Sequence, residues 1–175
     1  MIFDILKRKW LREEYAKYDA RKLERDIQWP QSLLIIVDTS KDQDVTVFKP
    51  WYQELGISFQ EVTIIGRCKN VKKSLVSDMD LVDSSFIKWT GGVTNNALAA
   101  VLDKPVDLLV NYFDLEDTLT HYLARRANAA FKVGFAHHSQ EIYDLGLNMP
   151  TNEPDALINE ITKYLKILTS QQCKN

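Results

Sequence analysis

The chain has 175 residues, is 45% apolar and carries a formal net charge of -2. That length and apolar share suit one globular domain with a sizeable core, while the near-balanced charge gives no global attraction to nucleic acid or an anionic membrane. Its two cysteines, Cys68 and Cys173, are too few for a disulfide scaffold or a zinc cluster and fit a reducing cytoplasm.

The opening "MIFDILKRKW" has no apolar stretch long enough for a signal-peptide core. The longest aliphatic run, "LLIIV" at 33–37, falls far short of the roughly 20 residues that span a bilayer. We therefore expect a cytoplasmic chain without a transmembrane segment. Residues 2–27 contain neither glycine nor proline. Ile2, Phe3, Leu6, Trp10, Leu11, Tyr15 and Tyr18 recur at three- and four-residue steps, a helical stripe. Pro30 then stops the helix by biasing Trp29 away from helical angles. The expected organisation is an N-terminal amphipathic helix over 1–29 and a single domain over 30–175. Lys7, Arg8, Lys9 and Arg12 beside Phe3 and Trp10 invite a membrane-surface reading. Asp4, Glu13, Glu14, Asp19, Glu24 and Asp26 nearly cancel that charge, so the stripe is assigned to packing on its own domain, on a second copy or on a protein partner.

From residue 32 strands and helices alternate. "SLLIIVDT" (32–39) is a continuous aliphatic run, as in a strand covered on both faces. "VTVFKPWYQELGI" (45–57) reads as a short irregular helix that tolerates Pro50 in its first turn and ends at Gly56. "FQEVTIIG" (59–66) is the second strand, and the polar stretch 67–83 a loop with one helical turn. "SSFIKW" (84–89) is the third strand, followed by a helix in "TNNALAAVLDK" (94–104) with Thr94 as its N-cap. "VDLLVNYF" (106–113) is the fourth strand, "EDTLTHYLARRANA" (116–129) an amphipathic helix, and "FKVGFA" (131–136) the fifth strand. "EIYDLGLN" (141–148) adds an edge strand, and "DALINEITKYLKILT" (155–169) closes as a helix.

Helix-length connections between strands imply parallel units with right-handed crossovers. The fold class is a three-layer α/β sandwich, Rossmann-like, with a mostly parallel sheet of five strands, or six with the edge strand. Strand order 3-2-1-4-5 follows, with 32–39, 106–112 and 131–135 adjacent and parallel at its centre.

Such sheets bind ligands at the carboxyl ends of their strands, by the switch point. Four polar clusters fall there: "DTSKDQD" (38–44), "TGGVTNN" (90–96), "NYFDLED" (111–117) and "AHHSQE" (136–141). The ligand-facing candidates are Asp38, Thr39, Gly91, Gly92, Asn111, Asp114 and His137. Gly91 and Gly92 precede a helix N-terminus that can hold an anion, although neither the spaced glycines of a dinucleotide fingerprint nor the lysine of a P-loop is present; a turn with an N-cap accounts for the same residues. Asp38, Asp114 and Asp117 suit a hard cation through water, but aspartates at strand ends also cap the next helix, and no metal is assigned. His137 and His138 are adjacent, so on an extended chain their rings face opposite ways, whereas zinc motifs space histidines three to five residues apart. At most one faces the cleft, and His121 on the preceding helix points to solvent. No Ser-His-Asp or Cys-His order stands out, and "GRCKN" is no nucleophile signature. No cofactor is implied.

The string "PVDLLVNYFDLEDTLTHYLARRANAAFKVGF", with "YDLGLN" after it and "FIKW" before it, resembles an uncharacterised Bacteroidetes family, a domain of unknown function. The same strand-helix-strand unit is more weakly similar to the N-terminal Rossmann-like domain of heptosyltransferases. The first resemblance implies no activity. The second implies the fold and a small anionic or sugar-like substrate. Two function classes follow: a ligand-binding or protein-interaction module with no evident catalytic set, or an enzyme related to the N-terminal domain of glycosyltransferases. The missing catalytic set favours the module.

Overall fold

In a computed structural model the described residues are 27–39, 45–73, 79–88, 92–113, 118–136, 142–150 and 153–172. Six strands, β1 (Leu33–Asp38), β2 (Val62–Arg67), β3 (Asp80–Val82), β4 (Val106–Tyr112), β5 (Ala129–Phe135) and β6 (Leu145–Leu147), form one sheet in the order β3-β2-β1-β4-β5-β6. Every neighbouring pair is parallel. Four α-helices accompany them among the described residues: α1 (Phe48–Glu54), α2 (Asn96–Asp103), α3 (Thr118–Arg126) and α4 (Pro154–Gln172).

All six residues of β1 are buried, which a strand achieves only with helices on both sides. On one face Leu33, Ile35 and Val37 join Leu108, Val110, Tyr112, Val133 and Phe135. That face packs against Phe48, Trp51 and Tyr52 of α1 and Leu157, Ile161 and Leu165 of α4. On the other, Leu34, Ile36, Ile65 and Leu109 meet Leu98 and Leu102 of α2, Leu119 and Leu123 of α3, and Ala127 just after it. The result is the expected open three-layer α/β sandwich.

Local chemistry sets the element ends. After α1, Gly56 has φ 79°, the left-handed angle that favours glycine. Its N–H donates to Gln53 O at 3.0 Å and the Ile57 N–H to Tyr52 O at 2.9 Å. These two bonds make a Schellman cap that satisfies carbonyls orphaned at the helix end. Trp51 Nε1 donates to Thr162 Oγ1 at 2.9 Å and so ties α1 to α4.

Four expectations need correction. The third strand is Asp80–Val82, not 84–89: Asp83 accepts from the Ser85 N–H and turns Ser84–Phe86 into a 3-10 helix. Ile87 is left with a lone antiparallel bridge to Val93. The second strand begins at Val62, because Phe59–Glu61 is another 3-10 turn. The N-cap of α2 is Asn95, whose side chain accepts from the Leu98 N–H, and not Thr94. His121 is half-buried rather than solvent-facing. The 141–148 segment does supply an edge strand, the parallel β6. The expected helix over 1–29 and the packing of its stripe lie outside the described residues, apart from 27–29.

At the amino edge Asp107 holds the β1–β4 register. Its Oδ2 accepts from Gln31 N at 2.8 Å, Ser32 N at 3.0 Å and Ser32 Oγ at 2.9 Å. Its own N–H donates to Ser32 Oγ at 2.9 Å. Removing that acceptor strands three donors, so Asp107→Ala should lower unfolding free energy by about 1–3 kcal/mol. Urea titration of the two proteins checks it; an unchanged midpoint would mean water replaces the carboxylate at no cost.

Candidate functional site

The order β2-β1-β4-β5 reverses the direction of chain progress between β1 and β4. The β1-to-β2 crossover carries α1 on one face, and the β4-to-β5 crossover carries α3 on the other. Connections that leave adjacent strands to opposite faces open a crevice at their carboxyl ends.

Register and alternation decide which side chains stand together there. Ile36 is the partner of Asn111, and Asp38 the partner of Arg67. Successive residues alternate faces, so Asp38 follows Leu34 and Ile36, Asn111 follows Leu109, and Arg67 follows Ile65. All three project on the α2/α3 side. Asp38 and Asn111 are therefore diagonal neighbours on adjoining strands, with Cα atoms roughly 7–8 Å apart. Each is only 3% exposed.

Asn111 is bound on one side only. Its Nδ2 donates to the Tyr143 hydroxyl in a short hydrogen bond, while its buried Oδ1 has no hydrogen-bond partner. Tyr143 reaches this position because Gly134, one step past the Val110–Val133 register pair, has no side chain. A Cβ on Gly134 would lie 2.5–2.7 Å from three atoms of the Tyr143 ring. The phenol thus rests on bare β5 backbone and covers Asn111 on that side.

On the β2 side, Thr39 Oγ1 donates to Arg67 O at 2.9 Å, so its hydroxyl pins the strand ends together. Asp83, just past β3, accepts from Ser85 Oγ at 2.6 Å, Ser85 N at 2.8 Å and Val71 N at 2.8 Å. Burial alone would raise this carboxyl. The Ser85 and Val71 hydrogen bonds and the Arg67 charge outweigh it and hold Asp83 below its ordinary value. Cys68 is a free, buried thiol whose Sγ lies 3.7 Å from Val82 O. Burial and the Asp83 charge push it up, against Asn70 and Arg67, so it is a protonated thiol at neutral pH and a poor nucleophile.

Of the seven sequence candidates, the sheet brings Asp38, Thr39 and Asn111 to one edge. Gly92, with φ 87°, sits farther out, in the turn where Lys88 N donates to Gly92 O at 2.9 Å. Gly91, Asp114 and His137 lie outside the described residues, as does His138. Arg67, Asp83, Tyr143 and Gly134 were not singled out from sequence. Arg67 ends a strand read as stopping at Gly66, and Tyr143 lies 32 residues from the amide it meets. Among the described residues no group of three or more His, Cys, Asp or Glu could hold a metal ion, and no helix is long and apolar enough to cross a membrane.

A family model described as a family of unknown function (DUF6913) matches residues 4–168. No curated protein and no solved structure matches the chain.

The depressed Asp83 carboxyl sets a pH dependence. A group whose folded pKa lies below its unfolded value, about 3.9 for aspartate, contributes stability that is present above that value. The contribution is lost as pH falls through the folded pKa. Asp83→Asn should therefore flatten the decline in stability below about pH 5 relative to the native chain, read as urea midpoints against pH. Parallel curves would show that the carboxylate contributes no linkage.

Proposed function

The chain belongs to this family of unknown function, and we propose that it is a small-molecule-binding module whose site is the β1–β4 crevice. The observation that carries the reading is the Asn111 carboxamide. Its Oδ1 is buried without a hydrogen-bond donor at the edge where a doubly wound sheet opens. An unpaired buried acceptor costs about 1–3 kcal/mol, and natural folds leave few of them. A bound molecule that donates to Oδ1 removes that cost. Asp38, a second buried polar residue on the adjoining strand, and Arg67, its register partner on β2, add to a polar rim at the same strand ends. Such a rim suits a small polar ligand.

Among the described residues of that rim there is no evident catalytic set. Cys68 is protonated, Thr39 spends its hydroxyl on Arg67 O, and no described histidine stands beside a nucleophile. Binding without chemistry accounts for the arrangement with fewer assumptions than an enzyme does. The free thiol of Cys68 also agrees with a reducing, cytoplasmic setting.

A thermal-shift screen of the full chain with nucleotides, sugar phosphates and divalent ions tests the reading. A ligand at 100 times its Kd stabilises the native state by about 2.7 kcal/mol, a shift of several degrees for a chain of this size. Asn111→Leu should retain the fold at a cost of about 1–3 kcal/mol, because it takes the Nδ2 donor from the buried Tyr143 hydroxyl, and lose the shift. A folded Asn111→Leu variant with undiminished ligand response would remove the crevice as the site.

A further inference from the structure

We infer that residues 2–26 lie across the α1 side of β2 and β3, with Tyr15 and Tyr18 against Ile64 and Met79. The segment thereby supplies a helical layer which that part of the sheet otherwise lacks.

Handedness says where such a layer belongs. Passing from β1 to β2 to β3 moves along the sheet in one direction, so right-handed crossovers put both connections on the same face. The first connection carries α1 there. The second, over 68–79, carries in its described residues only the 3-10 turn Val71–Lys73. Asp83 Oδ2 accepts from Val71 N at 2.8 Å and so holds that turn at the carboxyl edge. Nor does α1 spread over the gap. Its Phe48 ring meets the Tyr112 ring of β4 edge-on, with 5.4 Å between centroids, and its Trp51 hydrogen-bonds to Thr162 of α4. The helix leans towards β4 and away from β2.

The strand shows the consequence. Val62 and Ile64 are in register with Leu33 and Ile35 and share their face. The two β1 residues are fully buried, whereas Val62 and Ile64 are half-buried. Next on that face, Gly66 has no side chain; a Cβ there would run into Met79 Sδ and lie 3.0 Å from Leu81 Cδ2. Met79 and Leu81 are half-buried as well. An apolar strip therefore runs the length of β2 beside a covered core.

The chain itself enters at the foot of this strip. Ile27 and Trp29 pack on the same core cluster as Val62, Ile64 and Met79. Trp29 Nε1 donates to Leu55 O at 2.9 Å, at the amino edge. A helix that ends there and feeds β1 runs antiparallel to the strands, as crossover helices do. Residues 2–26 contain neither glycine nor proline. At 1.5 Å per residue, Tyr18 and Tyr15 stand about 13 and 18 Å before Ile27, within the roughly 20 Å of a six-residue strand. Tyrosine suits a half-exposed strip: its ring body covers aliphatic groups while its hydroxyl stays in water. The Met79 sulfur adds a favourable contact with an aromatic edge. The family match begins at residue 4, so the segment belongs to the same unit as the sheet.

Nuclear Overhauser contacts in the full-length chain, labelled at methyl groups and tyrosine rings, test the placement. The Ile64 and Met79 methyl groups should contact the Tyr15 and Tyr18 rings. In an equal mixture of methyl-labelled and ring-labelled chains those contacts should vanish. Contacts that persist in the mixture put a second copy on the strip, and contacts to Leu75 or Val76 instead give it to the β2–β3 connection. Either result overturns the inference, and so does the absence of any contact. Trypsin gives a second readout. Docking should protect Arg21 and Lys22, and Tyr18→Gln removes a ring without lowering helix propensity. Cleavage at those two sites should then be about tenfold faster or more, because proteolysis tracks the opened fraction and a buried aromatic ring contributes that much to closure. Equal rates in the native chain and the variant overturn the inference, as does native cleavage as fast as that of a free peptide of residues 1–26.

Discussion

The parallel pairing of β1 with β4 is the constraint on which the rest of the molecule depends. Both strands are almost wholly buried, so neither can tolerate a solvent face, and each must be covered twice. With parallel neighbours the cover comes from crossover connections, which are right-handed and long. One connection goes to β2 and the other to β5, on opposite sides of the pair and opposite faces of the sheet. The meeting of Asp38 and Asn111 at the carboxyl edge is a by-product of that geometry. Asp107 secures the pair at the other end, where three hydrogen bonds with Ser32 and one from Gln31 hold the strands in register.

Most of this frame is legible in the sequence because it rests on long aliphatic runs. "LLIIV" and "LLV" admit few readings other than central strands, and the strand order follows from helix-length gaps. The short edge elements are less legible. At 84–89 the alternation of "SSFIKW" is strand-like, but Asp83 supplies an acceptor to the backbone just ahead of it. Local side-chain hydrogen bonding competes with the ladder and wins. The strand moves back to Asp80–Val82, into a stretch too polar to announce itself. It is an edge strand of three residues, and Arg67↔Val82 is its last pair.

The site was half legible for a related reason. Asp38 and Asn111 stand out as polar residues closing apolar runs, and the switch-point rule brings them to one edge. Tyr143 and Gly134 carry no such signal. A tyrosine after a loop and a glycine inside a strand have many ordinary uses, and only the folded chain brings the ring over the missing side chain. Arg67 is similar: its pairing with Asp38 depends on a register that no local pattern encodes.

Asn111, Tyr143 and Gly134 form a costly arrangement if packing alone is considered. A leucine at 111 would continue the run of Leu108, Leu109 and Val110, and apolar replacement of a buried polar pair is often neutral or stabilising. Gly134 gives up side-chain contacts and adds backbone entropy to the unfolded chain. The phenol spends its oxygen on a carboxamide that is itself only half satisfied, and a half-satisfied buried network is worse than an apolar one. Three residues on two strands and a returning loop thus act together to keep one acceptor oriented and unpaired. Stability does not account for such a group; on the binding reading proposed above, a ligand would supply the missing donor. That makes the trio, rather than any single polar residue at the sheet's edge, the strongest reason to look for a ligand in this crevice.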